Sequence, residues 1–182
     1  MSSLARYGAG KLAMAMNRGG NSRIAAALAV GLSVAAAGAL AQTTQAADAP
    51  TTPGGRAAVQ RHENFEKQGK AFKAIVDELK KDAPDKALVA RNAALLRASA
   101  AQLPTWFPKG SGKEAWPKTD AKAEVWSDAA GFGAAAATLQ AETEKLDQLS
   151  AAGDLEAIRA QVKATGAACK TCHDAYRVPK KT

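Results

Sequence analysis

Between residues 57 and 178 the apolar positions recur three and four apart, the repeat that lines up side chains on one face of an α-helix. The pattern starts and stops four times. The first segment runs from about Ala57 to Lys81, with Phe65, Phe72, Ile75, Val76 and Leu79 on one face. Asp82-Ala83-Pro84 breaks it and starts the second, with Pro84 near the first helical position, where a missing N–H does no harm. The second segment spans about Asp85 to Gln102, with Leu88, Leu95 and Leu96 inward. Leu103 to Thr119 carries Pro104, Pro108, Gly110, Gly112 and Pro117 and cannot be a continuous helix. Its Trp106, Phe107 and Trp116 predict that part of it packs down onto the protein.

The third helix is expected to open at Asp120, whose carboxylate can accept from the free N–H groups of a first turn. Val125, Ala129, Phe132, Ala136, Leu139, Thr143, Leu146 and Leu149 then alternate at spacings of four and three, a heptad-like stripe. Ala151-Ala152-Gly153-Asp154 ends this helix and caps the next. The fourth stripe is Leu155, Ile158, Val162, Thr165, Cys169, Cys172 and Tyr176, and Pro179 marks its end. Nowhere does the alternation of a β-strand appear. The predicted fold is all-α: an antiparallel four-helix bundle over residues 57–182, with one long connection between helices two and three.

Ahead of the bundle, Arg6, Lys11, Arg18 and Arg23 form a basic stretch without acids, followed by an apolar, Ala-rich run from Ile24 to Leu40. Ala39-Leu40-Ala41 is a small-x-small cleavage site, and Thr44-Gln45-Ala46 is a second. The stretch reads as a secretion signal over residues 1–41. The alternative is a membrane anchor, but the run of about 17 residues is at the lower limit for a span and is rich in Ala and Gly. Without a twin arginine, the general secretion route to the periplasm is expected. Residues 42–56 are small, polar and Pro/Gly-bearing and read as a flexible mature N-terminus. Cleavage removes four basic residues and no acids, so the formal charge falls from +8 to +4. The remaining charges of both signs are interspersed, which argues against a nucleic-acid surface.

The chemistry lies near the end, in Cys169-Lys170-Thr171-Cys172-His173. Cys-x-x-Cys-His is the attachment signature of c-type haem: two thiols add across the haem vinyl groups, and the adjacent imidazole binds the iron. At about 100° per residue, the three side chains project toward one side of a helix. A thioredoxin-like dithiol would need a βαβ context that is absent, and a disulfide across this short loop would stabilise little. All three methionines (Met1, Met14, Met16) lie in the expected signal, so His/Met ligation is excluded in the mature chain. One other histidine exists, His62. Either it binds as a sixth ligand, or the sixth position is empty or weakly held.

The bundle, the CKTCHDAYR run at Cys169–Arg177, the Trp126–Ala130 stretch WSDAA and the Thr119–Trp126 approach to the third helix together resemble cytochrome c′ over about residues 57–178. The resemblance implies one covalent haem c, with His173 as axial ligand of a five-coordinate, high-spin iron. It further implies an apolar lid over the opposite face, four residues after an Arg of the first helix. Those positions fall on Arg61 and on Phe65, which is bulkier than the Leu or Met of many members. The family's basic residue four after the axial His matches Arg177. The long connection looks longer than usual. Haem contacts are accordingly expected at Arg61, His62, Phe65, Asp120, Glu124, Trp126, Phe132 and Arg177. The implied function is binding of small gases (nitric oxide, carbon monoxide), with electron transfer to a periplasmic redox partner as a further role. Family habit adds a homodimer. The rival reading is a low-spin electron carrier with His62 as sixth ligand. A small haem peroxidase ranks last, since no acid–base pair accompanies Phe65.

Overall fold

Thr52 and Pro53 open the first helix of the protein, in a computed structural model that describes residues 50–179. The secretion signal expected over 1–41, and residues 42–49 of the expected flexible segment, lie outside the described residues. Helix α1 spans Pro53–Glu78, α2 Lys86–Gln102, α3 Glu124–Ser127, α4 Ala129–Ala152 and α5 Leu155–Tyr176, with a 3₁₀ turn at Leu103–Trp106. The four long helices form the expected all-α bundle.

Several boundaries differ from those expected, each for a local reason. Helix α1 starts four residues early, inside the segment read as flexible. Thr52 Oγ1 accepts from Gly55 N at 3.0 Å, and Pro53 takes the first helical position. It stops at Glu78, whose carboxylate accepts from Asp85 N at 2.8 Å and closes the turn. Pro84 stays outside α2: the cap is Asp85, which accepts from Ala87 N and Leu88 N. The inward face of α2 is Val89, Ala93, Leu96 and Ala100, and Leu95 is 60% exposed.

Asp120 does not open the third helix. A single turn, α3, comes first; the chain breaks at Asp128, and Asp128 caps α4 by accepting from Gly131 N at 3.0 Å. The break turns Ala129 out to solvent. From Phe132 onward the expected stripe is buried through Leu146. Gly153, at φ 75°, ends α4 in the left-handed region that other residues rarely adopt, and Asp154 caps α5. Helix α5 ends at Tyr176, before Pro179. Arg177 forms an antiparallel bridge with Ala121, flanked by Lys122 N to Tyr176 O at 3.0 Å and Val178 N to Asp120 O at 2.8 Å. The Lys122 ammonium donates to the carbonyls of Asp174 and Ala175, two acceptors the helix leaves free.

Sequential helices pack as neighbours: α1 on α2, α2 on α4, α4 on α5. The ring is closed at one end, where the Phe72 ring lies against Gly166 and Arg159 Nη2 donates to Leu79 O at 3.1 Å. There Ala71, Ile75, Val89, Ala93, Leu96, Leu146 and Ile158 form one core. A second core, of Ala100, Leu103, Val125, Phe132, Ala136, Leu139 and Ala168, lies toward the other end, where α1 and α5 are separated by a cavity. Ile158 is wholly buried in the closed core. Ile158→Ala should cost about 2–5 kcal/mol, read as a lower urea midpoint at unchanged slope.

Candidate haem site

The cavity between α1 and α5 encloses about 410 Å³, in the range of small-molecule and cofactor sites. Helix α5 supplies one wall, with Cys169, Cys172, His173, Tyr176 and Arg177; α1 supplies the other, with Arg61, His62, Phe65, Gln68, Gly69 and Phe72. Leu139 and Thr143 of α4 line it between these walls, Thr165 adds to the α5 wall, and Phe107, Trp116, Thr119, Asp120 and Ala121 come from the long connection and its end. The two walls run antiparallel, so the contact of Phe72 with Gly166 fixes their relative height. Seven residues further along each, about 10 Å at 1.5 Å per residue, lie Phe65 and His173. Both line the same cavity, from opposite walls, and by this count fall at about the same height.

The α5 wall carries the donor set that haem needs. Both thiols are free and half-buried. Burial pushes both thiols above their ordinary pKa, and Cys172 adds to the effect on Cys169, so both are neutral. His173 is shifted the other way: burial first, then the nearby Arg177 charge, lower its pKa against an opposing Asp174. It is therefore a neutral imidazole at neutral pH, with a lone pair to offer a metal. Two thiols and one neutral imidazole on a single face, before a cavity with largely apolar walls, fit a flat, covalently held macrocycle.

The α1 wall is more tightly determined than its sequence suggests. Phe65 packs edge-on against Trp106 and Phe107, with ring centres 5.2 and 6.1 Å apart. His62 is exposed at the rim, edge-on to Trp116 at 5.7 Å, with Nε2 3.5 Å from a carboxylate oxygen of Glu66. Arg61 is 3% exposed. Its Nη1 donates to Trp106 O at 3.2 Å and Ser111 Oγ at 2.9 Å; its Nη2 donates to Ser111 O at 2.8 Å and Thr119 Oγ1 at 2.9 Å. Its guanidinium carbon also lies 4.6 Å from the centre of the Phe107 ring and 5.8 Å from that of Trp126. Burial lowers its pKa to about 10, against the opposing Glu114 charge, and it stays protonated at neutral pH. Arg61 borders the cavity, and these four hydrogen bonds all go to the long connection.

Of the other expected contacts, Phe132 lines the cavity between Phe107 and Tyr176, with ring centres at 4.7 and 5.3 Å. Asp120 and Arg177 line it as a pair, Nη2 to Oδ2 at 3.2 Å. Trp126 and Glu124 are not on its wall. Trp126 stands behind Phe107, its indole donating to Phe107 O at 3.1 Å and Pro108 O at 3.2 Å, and Glu124 is exposed on α3. The lining residues not singled out as site residues from the sequence include Phe107, Trp116 and Gln68. Phe107 and Trp116 were expected only to pack, although aromatic residues in a Pro/Gly-rich connection already point to a covered surface. Gln68 lies one turn from Phe65, with its Nε2 buried and unpartnered.

A sequence profile of the cytochrome c′ family matches residues 56–177. Cytochrome c′ of Rubrivivax gelatinosus is 45% identical over 96 residues, 52% of this chain and 73% of that protein. Structures of variants of Alcaligenes xylosoxidans cytochrome c prime with bound nitric oxide and with bound carbon monoxide each match with a TM-score of 0.63 at 32% identity, over 69% of this chain and 97% of theirs. A cytochrome c′ described as showing ligand-controlled dimer dissociation matches with a TM-score of 0.66 at 25% identity, over 70% of this chain and 98% of its own. The likeness runs through both helices that wall the cavity and through Cys169, Cys172 and His173 themselves, and the chain belongs to the cytochrome c′ family of proteins with covalently attached haem c.

Proposed function

We propose that the protein is an exported haem protein that binds nitric oxide or carbon monoxide on the Phe65 side of a five-coordinate, high-spin iron ligated by His173. The observation that carries this reading is that Phe65 and His173 line one cavity from opposite walls. Cys169 and Cys172 would hold the haem through thioethers, and the haem would supply an iron able to bind a small ligand. His173 provides its neutral imidazole from the α5 side. Phe65, backed by Trp106 and Phe107, keeps water from the other side and offers no hydrogen-bond donor. Such a lid favours neutral diatomics that need no donor and disfavours dioxygen. Asp120 holds Arg177 at the cavity edge, where the guanidinium can meet a propionate.

The gas complexes of the Alcaligenes protein support the choice of ligand, and the dimer named for another relative supports a homodimer. The basic and apolar pattern of residues 1–41 supports export to the periplasm by the general secretion route. Electron exchange with a periplasmic partner is a secondary role. We assign no enzymatic activity.

Absorption spectra of the ferric and ferrous protein, with and without carbon monoxide, test the reading. His62 is the rival sixth ligand, but Trp116 and Glu66 engage it at the rim. His62→Ala should leave the ferric spectrum high-spin and nearly unaltered. A low-spin wild type that becomes high-spin in this variant would establish the electron-carrier reading instead.

A further inference from the structure

The long connection has anchors at both ends. Leu103 is buried in the open-end core, and residues 120–122 pair with residues 176–178. Between these anchors it carries Phe107 and Trp116, two rings of the cavity wall. Arg61 grips that span at Trp106, Ser111 and Thr119 and lies against Phe107. The connection also seats on the first turn of α1, where a Cβ on Gly54 would collide with the Gly110 carbonyl. Phe65 rests edge-on against Trp106 and Phe107, so displacing it toward them pushes on the connection. Those residues cannot yield without stripping partners from a buried cation, which is costly.

We infer that Arg61 is a positioning residue that sets the size limit for ligands. It latches the connection over the ligand side, so that a diatomic passes with a small displacement of Phe65 and a bulkier ligand is refused. The inference rests on the gas-binding reading. The planar fork of the guanidinium is needed, because four acceptors are met from two nitrogens; a lysine ammonium keeps the charge but cannot span them.

The test compares association of carbon monoxide and of n-butyl isocyanide with the ferrous holoprotein by stopped flow. The proteins are wild type, Arg61→Lys and the double variant Ser111→Ala/Thr119→Val. The double variant keeps Arg61 and removes two of its acceptors, and it decides the matter if Arg61→Lys does not fold. Losing one hydrogen bond to a charged group corresponds to roughly tenfold or more in an equilibrium. The isocyanide rate should therefore rise about tenfold and the carbon monoxide rate clearly less, with new tryptic cleavage at Lys109 or Lys113. Equal acceleration of both ligands means general loosening and overturns the size limit, as do unchanged rates in both variants. A wild type that binds no carbon monoxide overturns the gas-binding reading and this inference together. A wild type that binds it, with an unaltered ratio in the variants, overturns the latch alone.

Discussion

Replacing both Cys169 and Cys172 by alanine should yield a chain from which acid-acetone extracts all haem. These are the only cysteines in the sequence, so nothing else can form a thioether. Both are free and half-buried on the cavity face of α5, and burial keeps both thiols protonated until they react. Either single variant should retain one thioether, so that haem stays with the protein after extraction but with a shifted absorption band in the reduced state. The side chains removed are small, and the closed core around Ile75, Val89 and Ile158 is remote from them. Far-UV circular dichroism should therefore remain helical, which separates loss of attachment from loss of fold. Haem that survives extraction from the double variant would disprove attachment at this motif.

Phe65→Ala should have the second largest effect, on both binding and stability. Truncating a buried phenylalanine typically costs about 3–5 kcal/mol, and the outcome depends on whether the surroundings collapse into the space. Phe65 is half-buried beside a cavity, which points to the lower end of that range. Its neighbours Trp106 and Phe107 are held by Arg61 and Trp126, so collapse is hindered and the space stays open. Carbon monoxide should then associate at least about tenfold faster with the ferrous protein, a change of about 1.4 kcal/mol in the barrier. Flash photolysis measures the rate, and urea unfolding of the same sample measures the stability. An unchanged rate would show that Phe65 does not cover the iron.

The helices and the attachment motif are local features, and a single sequence displays them. What decides between local alternatives lies far along the chain. Leu95 and Leu96 are adjacent, so only one can face inward, and the choice follows from the Val89–Ala93–Ala100 line. Asp120 and Asp128 are equally good caps by type. The structure uses Asp128, whose other oxygen accepts from the Tyr176 hydroxyl at 2.8 Å, and engages Asp120 with Arg177. Both partners sit on or just after α5, about fifty residues away. Arg61 shows the same limit more strongly. As a helix residue near a lid it was expected to touch haem, but its acceptors lie 45 to 58 residues downstream in a stretch without regular pattern. Gly54 and Gly55 looked like breakers because their use, a close approach of the connection, is also a long-range matter.

The division of the bundle into two cores bears on the order in which the molecule is made. Ile75, Val89, Ala93, Leu146 and Ile158 bury one another without lining the cavity. That end of the bundle can form from the polypeptide alone. Helix α5 begins within it, at Leu155 and Ile158, and carries the two cysteines about three and four turns beyond Ile158. The two thiols thus ride on one jaw of a clothes-peg whose hinge is the closed core. Covalent attachment would then add the haem to a helix already held at its base by that core.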